Sequence, residues 1–235
     1  NANLISTTGN IILVSDSYAG TALGLYTSGA INLESNSGNF GGTFNLNGTY
    51  TAGNSTLVGS SSLAGLTIGR YTQNVSANSS ALQSLTVGNY TGTGLVGDTV
   101  FTFNNTGNVT TTADMLLPGT LKLSGANITL NANVGAGATG VLGTTLVATG
   151  NVTQGVNSTV YSGVQFVGGN VSLTNAGNQI SGVGASGIGN LSIVDSVTSV
   201  SLGLNAITAS GLINIRNTGN VLVNADIATT STANT

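Results

Sequence analysis

The 235-residue sequence predicts an all-β fold: a parallel β-solenoid wound as one continuous domain over residues 1–235. Three observations predict it. Hydrophobic–x–hydrophobic pairs recur at roughly one coil length, Gly and Asn fall between them, and charge is nearly absent. Paired apolar residues two apart mark short strands with one buried face.

The pairs come first in the argument. They stand at Ile31/Leu33, Phe44/Leu46, Leu66/Ile68, Leu85/Val87, Phe101/Phe103, Leu121/Leu123 and Ile128/Leu130, then at Val164/Phe166, Val171/Leu173, Leu191/Ile193, Leu202/Leu204, Ile213/Ile215 and Val221/Val223. Leu66 to Leu85 is 19 residues, Phe101 to Leu121 is 20, Val171 to Leu191 is 20, and Leu191 to Ile213 is 22. Pairs at Ile128, Leu202 and Val221 fall inside these intervals, as a second strand per turn does. The expectation is about eleven coils of 19–22 residues, a rod on the order of 50 Å long.

Glycine and asparagine supply the corners. The dipeptide Gly-Asn occurs ten times among 36 Gly and 30 Asn, where chance pairing gives about 5, and such dipeptides mark turns. Both residues tolerate left-handed backbone. Asn151, Asn170 and Asn190 are 19 and 20 apart, each followed at once by a hydrophobic residue. A β-sandwich fits less well because its strands are longer. Helices are disfavoured by the abundance of Thr, Val, Ile, Asn and Gly.

Composition excludes several chemistries. The chain has no His and no Cys, so it can build neither a Ser-His-Asp triad, nor a thiol nucleophile, nor an imidazole or thiolate zinc site. Three Lys+Arg cannot form the basic stripe that nucleic acid requires. No apolar run reaches the length of a membrane helix. Charged residues are 4% of the chain, against about 25% in ordinary soluble domains. Yet 40% of residues are hydrophobic and mean hydropathy is +0.32, which argues against disorder. No catalytic residue, cofactor or metal is expected, and the chain is not read as an enzyme.

The residues also carry a resemblance. Gly169–Asn178 (GNVSLTNAGN), Gly189–Ser196 (GNLSIVDS), Gly211–Gly219 (GLINIRNTG) and Asn220–Ala225 (NVLVNA) resemble filamentous-haemagglutinin-type repeats, as do Gly29–Asn36 (GAINLESN) and Ala126–Asn133 (ANITLNAN). Such repeats form the shafts of large exoproteins exported by two-partner secretion in Gram-negative bacteria, and similar ones occur in autotransporter-like adhesins. The resemblance implies a right-handed parallel β-helix and an extracellular or outer-surface location. It also implies a structural role in adhesion or display at a distance. The family's secretion domain is not recognisable, so an internal shaft segment is expected. The alternative is one subunit of a fibre stacking end to end, since neither end carries an evident cap. The partner is then the chain itself, within a longer polypeptide or between copies, with cell-surface glycans as a further partner class. A polysaccharide-processing β-helix is a distant third.

Candidate sites are few. Asp16, Glu34, Asp98, Asp114, Asp195 and Asp226 do not stack at the coil period. Aligning Ile11/Leu13 with Ile31/Leu33 places Asn36, not Glu34, beside Asp16, so no carboxylate pair forms there. Lys122 and Glu34 flank inward residues and are expected to point outward. Tyr50, Tyr71 and Tyr90 sit in similar contexts 21 and 19 apart, so a ladder is expected. It either packs one corner, the favoured reading, or contacts carbohydrate. Twelve Asn-x-Ser/Thr sequons are candidate N-glycosylation sites: Asn47, Asn54, Asn74, Asn78, Asn89, Asn104, Asn108, Asn127, Asn151, Asn157, Asn170 and Asn190. The Thr run at 109–112 (VTTT) suggests ice binding only weakly, because Thr-x-Thr is not seen to recur at the coil spacing.

Overall fold

In the computed structural model, residues 100–230 are described except 106, 112–113, 118–119, 137–142, 197 and 200. Before them the described residues are 2–5, 8–15, 23–26, 30–34, 36, 44–47, 49–52, 55–58, 65–71 and 85–87. The described residues form strands, turns and bends and no helix.

Successive strands stack in parallel, one coil above the next. One long sheet threads ten strands in chain order, from Ile11–Val14 through Ala30–Glu34, Gly65–Tyr71 and Val100–Asn105 to Val221–Val223. Ile227–Thr229 pairs beside the last of them, on Leu202–Ala209. A second face stacks six strands, Val109–Thr111, Ile128–Leu130, Asn151–Gln154, Asn170–Leu173, Leu191–Asp195 and Ile213–Asn217. A shorter third face pairs Met115–Leu117 with Val134–Ala136, and Val134 bridges on to Val160. The chain is a parallel β-solenoid, as the paired hydrophobics predict.

Alternation places the core. In Thr144–Ala148 every second residue is buried, and Leu191–Asp195 repeats the pattern. Leu123, Leu146, Phe166, Ala185 and Ile207 therefore stack as one inward column of the long sheet. On the second face Val109, Ile128, Val152, Val171 and Leu191 form another, all buried. These columns meet in a single hydrophobic cluster along the axis, and β-branched side chains suit such a pleated, buried surface. Burying each stabilises the fold by about 1.5–3 kcal/mol.

The coil length is less uniform than the spacing predicts. Register along the long sheet steps by 20 residues from Ile11 to Ile31, then by 35 to Leu66 and again by 35 to Phe101. From Phe101 the steps to Leu121, Thr144, Val164, Val183, Leu204 and Val223 are 20, 23, 20, 19, 21 and 19. The two long steps correct the expected period. Leu85–Val87 does not stack on Leu66/Ile68 but pairs with Phe44–Asn47. Phe44–Asn47 in turn forms an antiparallel meander with Thr49–Ala52 and Ser55–Val58. The described residues thus give ten rungs to the long sheet, not eleven.

Candidate functional site

The corner entering the second face is built from asparagine. Asn108, Asn127, Asn151, Asn170 and Asn190 occupy equivalent positions on five successive coils. Asn127 Nδ2 donates to Asn108 Oδ1 at 2.8 Å, and Asn170 Nδ2 to Asn151 Oδ1 at 3.2 Å. At three steps the side chain also captures main chain one coil on. Asn127 Oδ1 accepts from the Asn151 N–H at 2.8 Å, Asn170 Oδ1 from Asn190 N–H at 2.9 Å, and Asn190 Oδ1 from Leu212 N–H at 2.8 Å. A corner that leaves the sheet ladder has backbone donors to satisfy, and these amides satisfy them.

The same geometry explains the glycines of Gly150-Asn151, Gly189-Asn190 and Gly211-Leu212. A Cβ on Gly150, Gly189 or Gly211 would collide with the Oδ1 of Asn127, Asn170 or Asn190 respectively. Each of these glycines precedes the residue whose N–H the asparagine captures. At the amide step from Asn127 to Asn108 the preceding residue is Ala126, whereas at the amide step from Asn170 to Asn151 it is Gly169, which has a positive φ of 67°.

Two residues beyond each corner asparagine lies an outward hydroxyl: Thr110, Thr129, Thr153, Ser172 and Ser192 stand in register along the second face. The row accepts Ser as well as Thr, and Thr-x-Thr itself does not recur along it. Five of the twelve sequons are therefore one structural unit, a corner amide followed by a face hydroxyl. Asn157 differs: it lies exposed on the turn after Gly155 and its amide makes no hydrogen bond. Asn47 ends the strand Phe44–Asn47 and Asn104 lies on Val100–Asn105, whereas Asn54, Asn74, Asn78 and Asn89 fall outside the described residues.

A third corner holds a buried polar network. Asn178 is fully buried; its Oδ1 accepts from Gln154 Nε2 at 2.6 Å and from Val160 N–H at 2.9 Å. Its Nδ2 donates to Gln154 Oε1 at 3.1 Å and to the Val194 carbonyl at 2.9 Å. Asn175 joins through its N–H to Gln154 Oε1 and its Nδ2 to the Ser158 carbonyl. One coil on, the buried Asp195 carboxylate accepts from Ile180 N–H at 2.8 Å. Asp114 does the same in a more open setting, accepting from both Asn133 N–H and Asn133 Nδ2 at 3.0 Å. These carboxylates serve as corner acceptors. Among the described residues no group of three His, Cys, Asp or Glu side chains gathers.

On the outer side of the long sheet a groove of about 450 Å³ runs along Gly143, Gly163 and Gly182, walled by Lys122, Thr145, Gln165 and Asn205. Lys122 points outward, as expected, and is exposed. Strand register does not bring Tyr50 and Tyr71 together. Tyr50 lies on Thr49–Ala52 opposite Leu46 and Leu57, and Tyr71 ends Gly65–Tyr71 opposite Asn105 in another sheet. Tyr90 lies outside the described residues.

No family model, no curated protein and no solved structure matches this chain.

Proposed function

We propose that this chain is a segment of the shaft of a very large secreted or cell-surface bacterial exoprotein, holding adhesive regions at a distance from the cell. The corner ladder carries the reading. Asn127, Asn170 and Asn190 each tie their side chain to the main chain of the next coil, so that each coil is fastened to its neighbours along the axis rather than around a pocket. Stability in such an array is approximately a sum over neighbouring coils, which lets length grow without redesign. The resemblance to filamentous-haemagglutinin-type repeats supports the extracellular, Gram-negative setting. Glycan attachment in the described part is best accommodated at the exposed Asn157 and Asn151, because the side-chain N–H groups of Asn127, Asn170 and Asn190 are engaged in the ladder.

The test is the mass of the polypeptide in its native material, by denaturing gel and peptide mass spectrometry. The shaft reading expects these peptides in a species far larger than 23.0 kDa. A species near that mass, with or without added sugar, overturns it in favour of separate subunits stacking into a fibre.

A further inference from the structure

The asparagine and hydroxyl rows of the second face present a repeating chemical surface, and the shaft role uses the asparagine row alone, leaving the outward hydroxyls without a part. Neighbouring rungs are about 4.8 Å apart, and the two rows are about 6.6 Å apart along each strand. The hydroxyls of Thr110, Ser172 and Ser192 are half-buried and make no hydrogen bond to the rest of the protein. A hydroxyl can donate and accept at once, and the amides of Asn127, Asn170 and Asn190 each keep one N–H beyond the one they use. Every rung therefore offers unspent hydrogen-bonding capacity at the same place.

Charge narrows the partner. From Val109 to Ile215 the described ionisable side chains, apart from tyrosine, are Asp114 at a corner, Lys122 on the long sheet and the buried Asp195, with Arg216 on the next rung of the second face. The five rungs therefore carry too few charges of either sign to hold an anionic or cationic polymer. What complements it is an uncharged polymer that presents hydroxyls at an interval close to the coil rise. An extended β-linked hexopyranose chain has this property, one ring advancing nearly one rung.

We propose that the second face binds a linear, uncharged, β-linked polysaccharide laid parallel to the solenoid axis, one sugar per rung across the five rungs from Val109–Thr111 to Leu191–Asp195. This goes beyond the shaft reading, which requires no ligand. Each neutral hydrogen bond exchanged with water contributes little alone, so affinity accumulates with rungs. Single sugars bind negligibly, and each added sugar tightens binding several-fold until the fifth.

The experiment is calorimetric titration of the full chain with β-1,4-linked glucose and N-acetylglucosamine oligomers of one to six sugars. Affinity is expected to rise with length and level off at five or six. Thr110→Val, Ser172→Ala and Ser192→Ala together remove hydroxyls with no internal partner, and are expected to weaken the hexamer at least tenfold at unchanged Tm. Should that triple variant melt earlier, Ser192→Ala alone supplies the readout, with a loss of about threefold. Thr145→Val with Gln165→Ala, in the groove of the long sheet, is expected to change nothing. No binding by any oligomer overturns the proposal, as does binding indifferent to length or lost through the groove variant. Inhibition of ice growth without oligosaccharide affinity overturns it too.

Discussion

The side-chain oxygen of Asn170 accepts the backbone N–H of Asn190, 20 residues later, at 2.9 Å, and Gly189 leaves the space through which it does so. The bond links sequence to architecture in one step. Asparagine supplies an acceptor aimed along the axis, and glycine on the next coil makes room for it. Repetition at Asn127 with Gly150 and at Asn190 with Gly211 turns a local bond into a seam.

Gly189→Ala is expected to destabilise the fold by about 1–3 kcal/mol, because the new Cβ displaces Asn170 Oδ1 and strips Asn190 N–H of its acceptor. Gly163→Ala is the contrast. Its Cβ meets nothing closer than the Gly182 carbonyl at 3.9 Å, so it is expected to be neutral or to stabilise by about 0.4–1 kcal/mol through the unfolded state. Urea denaturation of the two variants checks the ordering.

Thr144 is buried in an inward column between Leu121 and Val164, and its Oγ1 has no partner. An unpaired buried hydroxyl costs roughly 1–3 kcal/mol. Thr144→Val keeps the shape and removes that cost, so a gain of about 1 kcal/mol is expected, read as a higher midpoint at unchanged m-value.

Asn178→Ala removes a side chain that bonds Gln154, the Val160 N–H and the Val194 carbonyl at once. The orphaned groups are buried together, so a loss of about 3–5 kcal/mol is expected. Hydrogen exchange is expected to accelerate first at Val160. A loss below 1 kcal/mol would mean that water replaces the amide and that the corner is open.

For Asp195 the expectation is a split between two variants. Asp195→Asn keeps a side-chain oxygen for the Ile180 N–H at the same buried place, and is expected to hold stability at neutral pH. Asp195→Ala leaves that N–H unpaired, at a cost of about 1–3 kcal/mol. Thermal melts of both at pH 7 decide it.

Much of this fold was legible in the sequence, because a solenoid writes its coil length into the spacing of inward residues. Val171, Leu191 and Ile213 stack as their intervals predict, and so do Ile11/Leu13 on Ile31/Leu33. Leu85 misled, since a period-two pair reports a half-buried strand and not its partner. Here the partner is Phe44 of an inserted meander. Of the tyrosine series, Tyr50 and Tyr71 lie on strands of different sheets despite their 21-residue spacing, and Tyr90 falls outside the described residues. The candidate face was half visible: five of the sequons contain its asparagines and hydroxyls, but their common register was hidden because the steps between them vary from 19 to 24 residues. The Gln154–Asn178 corner was not legible at all, because nothing in a Gly-Asn dipeptide shows that its amide turns inward onto a glutamine of the preceding coil.

The most direct test of the central claim, that coils fastened one to the next form a mechanical spacer, is single-molecule pulling along the chain. Steps of 19–24 residues between registered positions on the second face predict a sawtooth of events, each releasing about 60–85 Å of extended chain. Extension without resistance, or one event that releases the whole chain at once, would contradict it.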